Sequence, residues 1–231
     1  MMAIAGILEM FVLQIRSLVA NLGAANTYQP HHLRLPEVQA AIDRAQVIYI
    51  SGYFLTASLD TILEVSRLAK AAGKIICMNL SAPFICKFFI TQLCQVLPFV
   101  DFLFGNESEA LALSDAFSWN LQEIDQIATK MSQELIGCSE GLVVITQGSQ
   151  PTIVSQKDAP LQCFPVQSIP TDQIVDTNGA GDAFVGGYLS EYLKGGNLAT
   201  CVEKGHYAAS YIIRRSGVVF DKNLESSPGD N

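Results

Sequence analysis

A regular alternation of short apolar runs with longer amphipathic segments is the feature that most constrains the fold. The runs are rich in β-branched or aromatic residues, which predicts buried strands. They lie at residues 47–50, 74–78, 100–104 and 142–145. Strands that alternate with helices form right-handed βαβ units, so the sequence predicts an α/β fold with a mostly parallel central sheet flanked by helices.

The segments between these runs have the apolar spacing and the end signals of helices. Ser58 is a candidate N-cap for a helix that stops at Gly73, and Pro98 closes another helix. The predicted helices span residues 59–72, 84–97, 121–135, 181–193 and 198–215, with a further helix-like segment starting at Asn106. Two short runs at residues 152–155 and 161–166 are predicted to be antiparallel strands.

Composition supports one large domain and excludes several classes of partner. The 231 residues are 49% hydrophobic and 16% charged, which suits a substantial core and strands buried on both faces. The formal net charge of −8 argues against nucleic-acid or anionic-membrane partners.

No apolar run approaches the roughly 18 residues of a membrane span, and residues 1–15 lack the basic start of a signal peptide. The expected location is cytoplasmic, with the nucleus left open.

The turn at residues 176–182 carries the most chemical information. It reads Asp-Thr-Asn-Gly-Ala-Gly-Asp and enters a predicted helix. Gly179, Ala180 and Gly181 leave backbone N–H groups near the positive helix end, where they can stabilise a phosphoryl group as its charge develops. Asp182 lies at the rim of this nest, placed to accept a proton from an attacking hydroxyl. A plain helix start with an acidic cap is the simpler interpretation, but the full string favours catalysis.

Asn106 and Glu109 follow the third predicted strand and lie three residues apart, so on a helix they share one face. An amide oxygen with a carboxylate suits Mg²⁺, which keeps much of its water and accepts few protein ligands. The same pair is also a sound helix cap, with Glu at the third helical position. Their place at a strand end favours a metal-organising role through water.

Three further strand-end residues are candidate nucleotide contacts. Thr146 and Gly148 follow the fourth strand, and Asn79 follows the second. Ligands of open parallel sheets bind beyond the carboxyl ends of the strands, which groups these residues with Asp182. Each is also compatible with an ordinary loop, so none carries the assignment alone.

Near the start of the chain, alternating apolar residues follow a single arginine. Leu18, Ala20 and Leu22 would share one face of a strand and could line an apolar pocket. Arg16 could clamp a transferring phosphoryl group. A solvated surface arginine explains Arg16 nearly as well.

Other well-known site motifs are absent from the sequence. There is no G-x-x-x-x-G-K-[ST] phosphate loop, and no G-x-G-x-x-G follows the first predicted strand. The three histidines, His31, His32 and His206, form no metal-ligand pattern. These absences exclude a P-loop enzyme and leave a dinucleotide dehydrogenase unsupported.

The run from Asp176 to Asp182, followed by Ala-Phe-Val-Gly-Gly, resembles the second signature of the ribokinase-like (PfkB) carbohydrate kinases. Further segments are similar to the adenosine kinases within that family. They lie at residues 16–22, 79–84, 104–107 and 205–210. The resemblance covers nearly the whole chain. It implies a ribokinase-like fold and transfer of the ATP γ-phosphoryl group to the 5′-hydroxyl of adenosine, giving AMP and ADP.

The resemblance also implies roles for individual residues. Asp182 matches the family's catalytic base, and residues 179–181 match its anion hole. Asn106 and Glu109 match an N-x-x-E motif that organises Mg²⁺, and Asp176 matches a K⁺ position. His206 and Ala209 resemble residues that line the adenine site for ATP. The residues that resemble the nucleoside pocket or lie near the acceptor are Leu18, Ala20, Leu22, Phe54 and Asn178.

Members of this family begin with a long N-terminal region that supplies a lid, several central strands and a Gly-Gly signature. Residues 1–15 do not resemble that region, so we expect one truncated kinase domain over residues 1–231, with a flexible tail at residues 221–231. A complete version is expected to be monomeric. Two alternatives stay open: a non-catalytic nucleotide-binding fragment or isoform, and another sugar or nucleoside kinase of the same family.

Overall fold

The computed structural model describes residues 4–10, 15–138 and 141–220 of the chain. Side chains are described from residue 22 onward. The tail expected to be flexible, residues 221–231, lies outside the described residues. Within them, no helix is both long and apolar enough to cross a membrane.

The described chain begins with a small antiparallel sheet of two strands, β1 (Ile4–Met10) and β2 (Ile15–Asn21). The strand predicted in this region is therefore confirmed, but Leu22 does not continue it. A 3₁₀ turn over Gly23–Thr27 starts there instead, and Leu22 is exposed. The strand therefore ends at Asn21, one residue before Leu22.

The main sheet has six strands in the order β3-β4-β5-β6-β7-β8, so every strand lies beside the next one in the chain. Strands β3 to β6 are parallel, and β7 and β8 are antiparallel, as predicted. The bounds are β3 (Val47–Ser51), β4 (Ile75–Asn79), β5 (Phe102–Asn106), β6 (Leu142–Gln147), β7 (Gln150–Gln156) and β8 (Gln162–Phe164). Among the described residues, β3 and β8 are the edge strands of this sheet.

Helices cover both faces of the main sheet. They are α1 (Pro36–Arg44), α2 (Leu59–Ala71), α3 (Pro83–Phe88), α4 (Ile90–Val96), α5 (Glu107–Ala116), α6 (Ile124–Glu134), α7 (Ala180–Leu193) and α8 (Leu198–Ile212). Successive strand residues point to opposite faces, so the core divides in two. One half packs against α2 to α6 and the other against α7 and α8. The predicted cap is present, since Ser58 accepts a hydrogen bond from the Thr61 N–H.

Several predicted boundaries differ from the structure, and two of the differences have a clear physical cause. The single helix over residues 84–97 is two helices, α3 and α4, because Phe89 leaves the helical region with φ −115° and ψ 23°. The third strand starts at Phe102 rather than at residue 100, because the Val100 N–H still bonds the Leu97 carbonyl in a 3₁₀ turn. The later start makes Asn106 both the last residue of β5 and the N-cap of α5.

Helices α7 and α8 lie unusually close because glycines occupy their contact. A Cβ at Gly187 would lie 2.4 Å from the Lys204 carbonyl oxygen, and one at Gly205 would lie 2.8 Å from the Phe184 ring. Only glycine permits such an approach of two backbones. The pair forms a rigid support that carries Asp182 at the start of α7.

Candidate active site

The carboxyl ends of β4, β5 and β6 place three predicted residues side by side. Asn79 ends β4 and pairs with Phe104, whereas Asn106 ends β5 and pairs with Thr146 in β6. The Thr146 hydroxyl donates to the Gly105 carbonyl at 3.4 Å. Adjacent parallel strands end at one edge of a sheet, which is where ligands of this fold class bind. The sheet therefore brings these polar residues together.

Asp182 lies in the first turn of α7, where the backbone geometry is unusual. The N-cap, Gly179, has a left-handed backbone with φ 74°, a conformation that favours glycine. The Ala180 N–H makes a 3.3 Å bond back to the Thr177 carbonyl. The N–H groups of Gly181 and Asp182 precede the first intrahelical acceptors, so α7 itself offers them no partner. Gly181 has open space where a side chain would begin, so these amides are accessible at the positive helix end.

Tyr49 on β3 connects Asp182 to the strand ends. Burial raises the pKa of Tyr49 to about 12, and the negative charges of Asp182 and Glu109 act in the same direction. The polar side chain of Asn79 opposes that rise. The pKa of Tyr53 is raised by burial and by the same two carboxylates. Asp182, Glu109 and Asn79 therefore all lie close enough to Tyr49 to influence its hydroxyl.

Asn106 and Glu109 form a reciprocal pair at the start of α5. The Asn106 Oδ1 accepts from the Glu109 N–H at 2.9 Å, while the Asn106 N–H and Nδ2 each donate to a Glu109 carboxylate oxygen at 3.0 Å. The Ser108 hydroxyl also donates to the Asn106 Oδ1, at 2.7 Å. Glu109 is only 4% exposed, and burial raises its pKa to about 7. The capping arrangement that the sequence left open is present.

This donor set fits a hydrated Mg²⁺ better than a directly bound one. Both Glu109 oxygens accept a hydrogen bond from Asn106, and the Asn106 Oδ1 accepts two, so direct ligation would disrupt the helix cap. The remaining carboxylate lone pairs can accept hydrogen bonds from metal-bound water. Across the part of the chain that the structure describes, no three His, Cys, Asp or Glu side chains gather as a metal site. An outer-sphere role for the pair stays a prediction.

His206 lies on α8 with its imidazole against β7. Its Nε2 lies 2.8 Å from the Thr152 Oγ1, and its ring centroid lies 5.5 Å from that of Phe184. Burial lowers the pKa of His206, which favours the neutral imidazole. Ala209, three residues further along the same helix face, is half-buried against the α7–α8 core. Thr152 was not predicted as a site residue, because its sequence context indicates only a strand.

Asp176 holds the turn before α7 against the segment that follows α8. Its carboxylate oxygens accept hydrogen bonds from the Asn178 N–H at 2.8 Å and from the Gly217 N–H at 3.3 Å. This places Asn178 next to the Gly179 turn. Gly148 is exposed in the turn between β6 and β7, with φ 56°. The K⁺ role of Asp176 stays a prediction.

The aromatic residues of the candidate acceptor pocket lie beside the turn after β3. Phe54 is half-buried in a 3₁₀ turn over Gly52–Thr56, with its ring 5.3 Å from that of Tyr28. Tyr53 and Phe84, which had no predicted role, are 46% and 42% exposed, and their ring centroids lie 6.0 Å apart. Their position just beyond the ends of β3 and β4 was the signal that could have identified them.

Three of the four residues predicted near the chain start stay predictions. The side chains of Arg16, Leu18 and Ala20 lie outside the described residues. Leu22 is described, and it is exposed just beyond the end of β2. Their proposed roles rest on the sequence alone.

Comparison with known proteins assigns the chain to a family. The family model of the pfkB family carbohydrate kinases matches residues 11–224. The chain belongs to the pfkB family. The ribokinase-like α/β fold expected from the resemblance is thereby confirmed.

Relatives of this pfkB-family chain are adenosine kinases. Adenosine kinase 2 of Arabidopsis thaliana is 45% identical over 207 residues, which cover 89% of this chain and 60% of the relative. Anopheles gambiae adenosine kinase, in complex with P1,P4-di(adenosine-5) tetraphosphate, superimposes with a TM-score of 0.87 at 40% identity, covering 92% of this chain and 63% of that structure. Adenosine kinase from Schistosoma mansoni, in complex with 2-fluoroadenosine, gives a TM-score of 0.90 at 31% identity, covering 96% and 65%.

These comparisons confirm the resemblance to adenosine kinases. The chain spans about 60% of the length of the curated relatives it matches. Within this pfkB-family chain, the geometry supplies one exposed carboxylate, accessible helix amides and a buried carboxylate–amide pair at the same sheet edge. Such a set can deprotonate a hydroxyl and stabilise charge on a transferring phosphoryl group.

Proposed function

We propose that this protein transfers the γ-phosphoryl group of Mg·ATP to the 5′-hydroxyl of adenosine, giving AMP and ADP. The observation that carries the proposal is the set of paired polar residues at the ends of β4, β5 and β6, together with the exposed Asp182 and the open amides at the start of α7. The adenosine kinase relatives support adenosine as the acceptor.

Asp182 is the proposed catalytic base. It is exposed in the first turn of α7, so a bound hydroxyl can reach its carboxylate. Asp182 accepts the 5′-hydroxyl proton as the oxygen forms its bond to the γ-phosphorus, while the bond from that phosphorus to the bridging oxygen of ADP breaks. The backbone of Gly179, Ala180 and Gly181 holds the charge that spreads over the transferring group. Arg16 is the proposed second clamp on that group.

ATP is proposed to lie along the strand ends and against α8. Asn79, Thr146 and Gly148 approach its phosphates from the turns after β4 and β6. His206 and Ala209 line the site for its adenine. A neutral imidazole held by Thr152 presents a flat, uncharged surface to a planar base, which the lowered pKa of His206 favours.

When bound with ATP, Mg²⁺ would lower the repulsion between the phosphates and the attacking oxygen. Asn106 and Glu109 are proposed to hold its water shell, which agrees with a helix cap that already engages their oxygens. Asp176 is the proposed residue for K⁺. Removal of Mg²⁺ should abolish turnover.

Adenosine is proposed to bind beside β3, with Asn178 near the acceptor hydroxyl. The proposed walls of the pocket are Leu18, Ala20, Leu22 and Phe54. We further propose that the enzyme acts as a cytoplasmic monomer. Gel filtration with light scattering would test the oligomeric state, and a stable dimer would contradict it.

The decisive experiment measures AMP formation from adenosine and Mg·ATP by chromatography. Asp182→Asn should lower the rate about 10²- to 10⁴-fold, because it removes the base, while ATP affinity stays nearly unchanged. Asp172→Asn is the matched control, since Asp172 is exposed in a short 3₁₀ turn ahead of the site. Equal rates in the two variants would exclude Asp182 as the base. ATP binding without any AMP from the unaltered chain would show a nucleotide-binding protein instead of an adenosine kinase.

A further inference from the structure

Ser81 has a strained backbone at the point where β4 leads into α3. Its φ is 69°, in the left-handed region that serine rarely occupies. The other non-glycine residues with positive φ in the described chain are Ser118, Asn120 and Asp158. Those three are exposed, whereas Ser81 is half-buried. Strain of this kind persists only where surrounding contacts fix the conformation, and it marks candidate functional positions.

The Ser81 hydroxyl joins two turns that are far apart in the sequence. It accepts from the Gly52 N–H at 2.9 Å, lies 3.1 Å from the Ser51 hydroxyl and donates to the Asn79 carbonyl at 3.2 Å. The Ser81 N–H donates to the Asn79 Oδ1 at 2.8 Å. One side chain thus connects the turn after β3 with the turn after β4. We call this set of contacts, made by Ser81 with Ser51, Gly52 and Asn79, the serine latch.

The two turns touch at backbone distance. A Cβ at Gly52 would lie 2.6 Å from the carbonyl oxygens of both Asn79 and Leu80, so only glycine fits there. Gly52 is buried, and a buried N–H needs an acceptor. The Ser81 hydroxyl is that acceptor.

The two turns that the latch joins carry aromatic residues whose rings lie close together. Tyr53 directly follows Gly52, and Phe84 lies three residues beyond Ser81 at the start of α3. Their ring centroids lie 6.0 Å apart, and both rings are substantially exposed. Phe54 lies on the same turn as Tyr53. The separation of the two turns therefore sets the separation of the aromatic rings.

We infer that Ser81 is a positioning residue for the acceptor, because its hydroxyl fixes the turn that carries Tyr53 and Phe54 relative to Phe84, in the arrangement that receives a planar base. Aromatic faces bind a base by stacking, and stacking depends on ring spacing and tilt. The inference rests on the proposed function and deepens it. Ser81 acts through its neighbours and does not touch the reacting atoms.

Two substitutions separate the hydroxyl from the backbone strain. Ser81→Ala and Ser81→Gly both remove the latch, but only glycine relieves the left-handed strain. Their stabilities should therefore differ, with the alanine variant less stable. If Ser81 positions the pocket, both variants weaken adenosine binding about five- to tenfold, the usual effect of losing one hydrogen bond. ATP affinity should stay within about twofold, because both variants keep the Ser81 N–H that holds the Asn79 side chain. Ser118→Ala and Ser118→Gly are the matched controls and should change neither affinity.

Ligand-free measurements test the latch without adenosine. In the unaltered chain, the Gly52 amide should exchange slowly with solvent, and the Tyr53 and Phe84 rings should give a nuclear Overhauser contact. Both signals should weaken in the two Ser81 variants. If the unaltered chain binds no adenosine, the proposed function fails, yet these two signals still decide the latch.

Two results would overturn the inference. The first is a glycine variant that keeps adenosine affinity and the ring contact, because the hydroxyl would then be dispensable. The second is a parallel loss of adenosine and ATP affinity that follows stability in both variants. That result would assign Ser81 to general folding and not to positioning.

Discussion

The two sides of the proposed site hold their functional groups in different ways. On the nucleotide side, formed by the end of β4, by β5 to β8 and by α5, α7 and α8, polar groups are fixed by backbone contacts and burial, as in the Asn106–Glu109 pair. On the acceptor side, formed by β3, the turn over Gly52–Thr56 and the start of α3, aromatic rings stand exposed above a serine latch. The nucleotide side therefore presents fixed polar groups, and the acceptor side presents planar apolar rings.

This difference agrees with what each side is proposed to recognise. A transferring phosphoryl group needs donors that do not move as charge develops. A nucleoside base needs an open aromatic surface on which to stack. Changes on the nucleotide side should therefore reduce rate or stability, whereas changes on the acceptor side should reduce affinity for adenosine.

Gly179→Ala should have the largest effect. Gly179 has φ 74°, and a Cβ there would meet the Val218 Cγ2 at 2.4 Å, so the turn that carries the α7 amides is strained and crowded. We expect AMP formation to fall about 10²- to 10³-fold, as for the loss of an oxyanion-hole donor. Gly195→Ala is the control at the other end of α7, with φ 86° and nothing within 4 Å. Equal rate losses in both variants would show that the start of α7 has no specific role in AMP formation.

Gly187→Ala should have the next largest effect, on stability. Its Cβ would lie 2.4 Å from the Lys204 carbonyl oxygen, so α7 and α8 would have to separate. We expect the free energy of unfolding, measured by urea denaturation, to fall by about 3 kcal/mol. Gly186→Ala is the control, because that position faces open space and alanine favours the helix by up to about 1 kcal/mol. If both substitutions prove neutral, the nucleotide side is less rigid than its packing indicates.

The fold could be predicted largely from local sequence pattern. Four apolar runs separated by helical segments define parallel strands, and the structure has them in sequence order. The errors arose where local pattern is ambiguous. Apolar residues continue through the α3–α4 break at Phe89, so the sequence does not show it. The shift of β5 depends on a 3₁₀ turn at Leu97–Phe99 that a short apolar run does not reveal.

In the candidate site, residues that are contiguous in the sequence could be predicted, whereas pairs that are distant in the sequence could not. The turn from Asp176 to Asp182 could be identified because its chemistry is contained in one string. Thr152 and His206 are 54 positions apart, and Gly52 and Ser81 are 29 positions apart. Such pairs are created by the sheet topology and leave no mark in either local segment.

Glu109→Gln should reveal a pH-dependent contribution to stability. Burial gives Glu109 a folded-state pKa of about 7, above its ordinary value of 4.5. The folded chain therefore holds this proton more tightly than the unfolded chain. Its contribution to stability is fully present below pH 4.5 and is lost as the pH rises through 7.

Between pH 5 and pH 7 this loss should amount to about 2 kcal/mol in the unaltered chain and should disappear in Glu109→Gln. Urea denaturation at several pH values measures it. Glu107→Gln is the control, since Glu107 is exposed in the same helical turn, and it should keep the slope of the unaltered chain. Identical slopes in all three proteins would show that the pKa of Glu109 is not raised.

Thr152→Val should have the smallest effect and should be confined to the nucleotide side. The substitution keeps the shape of the side chain but removes the Oγ1 that lies 2.8 Å from the His206 Nε2. The imidazole then keeps its ring contact with Phe184 and loses its polar anchor. We expect ATP to bind about fivefold more weakly, the value of one ordinary hydrogen bond.

Thr152→Ser keeps the hydroxyl and should bind ATP like the unaltered chain. Nuclear magnetic resonance of the imidazole nitrogens provides a second readout, because the chain has only three histidines and the His206 signals should change in the valine variant alone. Adenosine affinity should stay constant throughout, since the serine latch and the aromatic rings lie on the other side of the site. If Thr152→Val weakened adenosine binding and left ATP binding intact, the two sides would have to exchange their proposed ligands.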